Sequence, residues 1–310
     1  MNLPLPLGGE DELASGHLGR IRQWIGARSR AEVARALRDR LSAADRDSMP
    51  LLQVIATSCG LQLDQYVGRH SMLPFSCFLI RNDSTLGPTG RSWSKLVVSR
   101  DDYLNPARLP AFCPECASEQ KRRRTYSIWR RALQLPGQQI CEQHGCLLFQ
   151  GRGVDAFMEQ PSDLLASGRC DQVPVREWAA DHPAITKLVT FSEAMLATGR
   201  SWFAPVVRAA LAHQASLRGL RTSVSGSLPL VSDLAFETFP AAFIGEHLAL
   251  QKVKRQGIPV SAIDCTVIGW DNVPTGTAVA MAMSLLFNSP SEAIEAFDAA
   301  QMLTFTVEAT

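Results

Sequence analysis

Two pairs of metal-binding side chains, each pair separated by two residues, constrain this chain more than any other feature. Cys113-Pro114-Glu115-Cys116 is followed, after 24 residues, by Cys141-Glu142-Gln143-His144. The two-residue gap lets one tight turn point both side chains at a single ion, and two such turns close a tetrahedron. Thiolate and imidazole ligands suit zinc, which has no redox chemistry. Three alternatives compete: a redox pair, inert core cysteines and a catalytic zinc. A redox Cys-x-x-Cys opens a helix after a buried strand and has no use for the second pair. A catalytic zinc keeps three protein ligands and an open position, whereas four ligands at this spacing close the site. The reading is one structural Zn2+ per chain on Cys113, Cys116, Cys141 and His144. Cys146, two residues further on, is a substitute ligand. Cys59, Cys77, Cys170 and Cys265 are isolated and read as small buried apolar residues.

A basic run lies between the two pairs. Lys121, Arg122, Arg123, Arg124, Arg130 and Arg131 place six positive charges and no acid within eleven residues, with Tyr126 and Trp129 interleaved. Arginine beside aromatic rings suits phosphate contact and stacking. A solvated helix face and an acidic protein partner are the competing readings. Charge across the chain points the same way. Residues 1–169 hold 22 Lys and Arg against 17 Asp and Glu, and residues 170–310 hold 9 against 13. An anionic partner is therefore expected for the first half.

The periodicity is mainly α-helical. Leu13, Leu18, Ile21 and Trp24 form one face of a helix from Asp11 to Trp24. Ser29 and Glu32 have capping-box spacing ahead of a helix with Val33, Leu37 and Leu41 on one side. Leu52 to Ser71 fits a helix-turn-helix, with Ile55, Ala56, Cys59, Gly60, Leu61 and Tyr66 at its apolar and small positions. Gln62, Gln65 and Arg69 are its candidate outward contacts, although a generic helical hairpin satisfies the same pattern. Residues 75–81 and 95–99 read as extended, with a loop over 82–93 between them, and residues 151–175 read as a connecting segment. Further helices are expected from Pro183, over 201–215, over 236–253, and from Pro290 to about residue 300. Lys252, Lys254, Arg255 and Gly257 offer a second, weaker helix-turn-helix. The expected division is an N-terminal helical region at 1–105, a zinc-knuckle module at 106–150 and a C-terminal helical domain at 151–310.

Hydrophobic residues make up 46% and charged residues 20% of 310, a balance that excludes a disordered chain. The longest apolar run, Ala278 to Phe287, is too short for a membrane span. Met1 to Pro6 carries no basic start of the secretory kind, so a cytoplasmic, reducing setting is expected. A phosphate-cradling loop, a nucleophile elbow and a His-Glu-x-x-His zinc motif are all missing, so no enzyme chemistry is expected. Asp101-Asp102 is a lone acidic pair that reads as a helix start.

Three blocks resemble the TniQ family of transposon target-selection proteins. The first runs from Leu3-Pro4-Leu5-Pro6 through Glu12 to Arg20 and is similar to the family's "P-x-P-x-E-S-x-x-S-W-x-x-R", with Gly16-His17 near the family's Trp. The second is His70-Ser71-Met72-Leu73-Pro74-Phe75. The third comprises Phe112 to Cys116, Tyr126 to Arg131, Gln134-Leu135-Pro136-Gly137 and Cys141 to Gly145, with Leu133 where the family has His. The resemblance covers about residues 3–150. It implies a non-catalytic adaptor that binds DNA or an RNA-guided targeting complex and connects it to an AAA+ transposition ATPase, with a homodimer as one arrangement. A stand-alone zinc-containing transcription regulator is the alternative.

Overall fold

The computed structural model describes residues 4–42, 49–80, 110–153, 155–174, 182–250, 254–270 and 272–308. The expectations for residues 82–93 and 95–99, Asp101-Asp102 and Lys252 lie outside them. Fourteen α-helices dominate the described residues, with five strands of two or three residues.

The chain forms two compact units rather than a linear series of three segments. The first comprises Met1–Leu73 and Ser92–Val175, and the second comprises Pro74–Arg91 and Arg176–Thr310. The Cys-rich module is thus part of the same unit as the N-terminal helices.

In the first unit, helix Ala14–Ile25 buries every residue from Ala14 to Ile21. Gly26 ends it in the left-handed region (φ 72°), which glycine adopts without a Cβ clash. Helix Arg30–Arg38 starts at Ser29, whose hydroxyl accepts from the Glu32 amide at 3.2 Å. The Glu32 carboxylate accepts from the Arg28 amide at 2.8 Å, one residue before the cap. Helices Leu51–Ser58 and Leu63–His70 form the expected pair, turned by Gly60 at φ 70°. Ala56 and Tyr66 are wholly buried between and beneath them.

The segment read as a connector is structured. Strand Phe149–Gly151 pairs antiparallel with Ala111–Phe112 on one side and with Cys170–Gln172 on the other. Phe157 and Met158 turn inward, and a Cβ at Gly19 would meet the Met158 backbone at 2.8 Å, so the first helix can pack there only through glycine. Strands this short carry no periodicity in the sequence.

The second unit surrounds one apolar helix, Gly276–Leu286, in which every residue except Thr277 is buried. This is the long apolar run of the sequence, and it is a core helix packed on several sides. Helices Pro183–Thr198, Ala204–Leu217, Val231–Thr238, Ala241–Leu248 and Pro290–Glu308 pack around it. Leu79–Ile80 pairs in parallel with Trp202–Phe203, and Phe78, Trp202 and Phe297 form an aromatic cluster. The single helix expected over 236–253 is two helices broken at Phe239-Pro240, because proline has no N–H to donate and disfavours a helical residue before it. Lys254 to Gly257 is not helical. Among the described residues, no helix is long and apolar enough to cross a membrane.

Candidate metal centre

Strand Ala111–Phe112 delivers Cys113 to the start of helix Pro114–Arg124. Pro114 occupies the first helical position, where its missing N–H costs nothing. The Cys113 sulfur caps the helix by accepting from the Cys116 amide at 3.3 Å, so the first turn brings Cys116 to the same side. The second pair sits on a tight turn. The Gly145 amide donates to the Cys141 carbonyl at 2.7 Å, and Gly145 is left-handed at φ 63°.

The four side chains converge. Cys116 Sγ and Cys141 Sγ are 3.8 Å apart. His144 Nδ1 lies 3.3 Å from Cys116 Sγ, 3.5 Å from Cys113 Sγ and 3.7 Å from Cys141 Sγ. All four ligand atoms fall within 4.8 Å of one another. A tetrahedral ion with metal–sulfur bonds of about 2.3 Å and metal–nitrogen bonds of about 2.0–2.1 Å needs S···S edges of about 3.8 Å and S···N edges of about 3.6 Å. The donor set therefore fits a closed four-coordinate metal. His144 Nε2 faces the Glu119 carboxylate at 3.8 Å.

Burial pushes the Cys113 and Cys116 thiols up. Burial would also raise Cys141, but hydrogen bonds from the His144 side chain and from the His144 and Gln143 amides outweigh it and bring this thiol down. A cation at the centre favours the thiolate at all three. Ala111, Leu133, Leu148 and Val173 form the apolar shell.

Around this centre the N-terminal segment is tied down by polar side chains. Arg20 meets Glu12 in a bidentate pair, with both contacts at 2.6 Å and both side chains buried. The same guanidinium donates to the Leu7 carbonyl at 2.7 Å and lies 4.3 Å over the Tyr126 ring. This explains the eight-residue interval between Glu and Arg in the first sequence block. His17 bridges the Tyr66 hydroxyl at 2.9 Å and the Pro6 carbonyl at 2.8 Å. His70, from the second block, bonds the Glu12 carbonyl at 2.9 Å. From the third block, Gln134 binds both the amide and the carbonyl of Ala111. Trp129 fills the space left by Gly16, where a Cβ would come within 2.6 Å of its ring.

The sequence-selected basic residues divide. Lys121, Arg122, Arg123 and Arg124 are exposed on the last turn of their helix, where positive charge complements the negative end of the helix dipole. Lys121 reaches Asp163 at 3.2 Å. Gln65 and Arg69 are exposed on helix Leu63–His70, and Gln62 is exposed at its N-cap. Arg131, by contrast, is buried. It donates to Asp11 at 3.3 Å, to the Gly68 carbonyl at 2.8 Å and to the Ser71 carbonyl at 3.1 Å. Arg130 is half-buried, 3.6 Å from Asp11. These two arginines join segments of the unit, and Arg131 is withdrawn from the contact set because its guanidinium faces inward.

Trp24 is the residue that the helical pattern misplaced. It shares the helical spacing of Leu13, Leu18 and Ile21 but is 56% exposed. Its neighbour Gln23 is bonded by Gln160 at 2.5 Å and reaches Asp163, which also holds Lys121. The end of the first helix and the end of the basic helix thus share one region. The polar flank Arg22-Gln23 and the terminating Gly26 were the available signal that the buried stripe stops at Ile21.

Residues 6–148 match the TniQ family model. That stretch is similar to the TniQ family. The TniQ match contains the whole Cys3His cluster, the His17–Tyr66–His70 group and the basic helix end. A search among curated proteins finds no match.

Proposed function

We propose that this chain is a non-catalytic adaptor for target-site selection in DNA transposition. It touches DNA or an RNA-guided targeting complex and presents it to an AAA+ transposition ATPase. The metal is zinc, one per chain, and its role is structural: three sulfurs and an imidazole form the donor set that zinc prefers. The observation that carries the reading is the exposed Lys121–Arg124 helix end, whose helix begins at two of the metal ligands. The metal fixes the direction in which four positive charges are displayed, a set suited to phosphate contact. Exposed Gln62, Gln65 and Arg69 supply a second polar face on the helical pair, which in this reading makes contacts of the helix-turn-helix kind.

The test is binding of zinc-quantified protein to duplex DNA across a salt series, with and without Arg122→Ala/Arg123→Ala/Arg124→Ala. Wild-type affinity falls with salt, and the triple variant loses up to about three units of the log–log slope. A folded triple variant with an unchanged slope would remove this run from the contact surface. Tight binding to one DNA sequence in the absence of any partner would favour the transcription-regulator reading.

A further inference from the structure

Cys146 is the sulfur at the metal centre that the four-residue cluster does not use. Its Sγ lies 3.5 Å from Cys113 Sγ, close to the spacing of two ligands on one ion. The backbone holds it there. The Cys141 amide donates to the Cys146 carbonyl at 2.8 Å, and Ile140 bridges Leu147 just outside the turn. Cys146 packs against the same apolar shell as the ligands, so its side chain faces the centre rather than solvent. It and His144 flank the left-handed Gly145, which places an imidazole and a thiol on either side of one turn, both in contact with Cys113 Sγ.

We propose that Cys146 is a reserve ligand. When His144 is lost or displaced, Cys113, Cys116, Cys141 and Cys146 hold the metal as a four-thiolate site. This rests on the reading of the cluster as a metal centre. The exchange involves no oxidation. The bond from metal to nitrogen breaks, the Cys146 thiol gives its proton to the released imidazole or to water, and a bond from metal to sulfur forms. The charge of a divalent site passes from −1 to −2. Side chains at this turn thus differ in their importance: three cysteines are indispensable, and the fourth position has two occupants.

The experiment titrates metal-free full-length chain with Co2+ and records its absorption spectrum. The proteins are wild type, His144→Ala, Cys146→Ser, the double variant and Cys141→Ser, with helicity measured on each. Wild type and Cys146→Ser give the same spectrum of three thiolates and one nitrogen. His144→Ala still binds one equivalent, and its sulfur-to-cobalt band grows by about a third, in proportion to four thiolates instead of three. The double variant loses tight binding, as Cys141→Ser does. If His144→Ala binds cobalt no better than the double variant, or binds it without the added sulfur band, the reserve role is overturned. If wild type itself binds no cobalt, the metal-centre reading falls first and this proposal falls with it.

Discussion

The two units of this chain are held together by different forces. The first unit depends on buried polar links: the Glu12–Arg20 pair, the inward Arg131, the two histidines on backbone and phenol oxygens, and the Cys3His cluster. The second unit wraps helices around the largely apolar Gly276–Leu286. Apolar packing is graded, and losing one methyl group costs little more than that group. Buried polar links are all-or-none, because removing one partner strands the other without water. The first unit is therefore the one whose stability follows the metal.

The largest expected effect separates the units outright. Chelating the metal, or replacing Cys141 by Ser, removes stability on the order of 10 kcal/mol from the first unit, since metal binding and folding are coupled. Circular dichroism with limited proteolysis should show the second unit's helices surviving. Loss of both units together would break the comparison. Next in size is Glu12→Ala, which leaves Arg20 charged and buried and costs about 3–5 kcal/mol, read as a fall in the urea midpoint of the first unit with zinc still bound. In the second unit Met281, wholly buried, sharpens the contrast. Met281→Ala costs about 2–5 kcal/mol by transfer and cavity alone and leaves metal affinity unchanged.

The smallest effect is that of pH. Burial first of all, with the nearby His17 and Arg131, lowers His70 to about 4. Its folded value lies below its unfolded one near 6.5. The unfolded chain therefore takes up the proton first, and the stabilisation is complete above pH 6.5 and lost as pH falls toward 4. The loss amounts to up to about 3 kcal/mol. His17, also lowered chiefly by burial, adds in the same direction. Denaturation at pH 7 and pH 5 with zinc in excess should show a smaller drop for His70→Gln than for wild type. An equal drop would assign the acid sensitivity to the metal ligands instead.

What the sequence made legible was local. Ligand spacing, the Ser29 cap and the Gly60 turn are fixed by residues within a few positions of one another, and their physical requirements are narrow. What it hid was long-range. Arg131 reads like its neighbours Arg122 to Arg124 until Asp11, 120 residues away, is known to face it. The strand at Cys170–Gln172 exists because Phe149–Gly151 offers it an edge, and three residues are too few to show alternation. The break at Pro240 was readable from proline chemistry, but the apolar residues around it suggested one continuous helix. The division into two units was beyond any linear reading, because the chain passes into the second unit at Pro74 and returns.

That excursion bears on how the protein is made. Phe75, Phe78, Leu79 and Ile80 are buried in the finished molecule, and the Ser201 hydroxyl that bonds the Cys77 carbonyl lies 124 residues further along. On a ribosome adding about 5–20 residues per second, this apolar stretch emerges on the order of ten seconds before its partners exist. During synthesis, the half-made chain therefore presents a greasy strand and helix end that a chaperone or a neighbouring nascent chain can capture, even though the completed protein leaves no trace of that exposure.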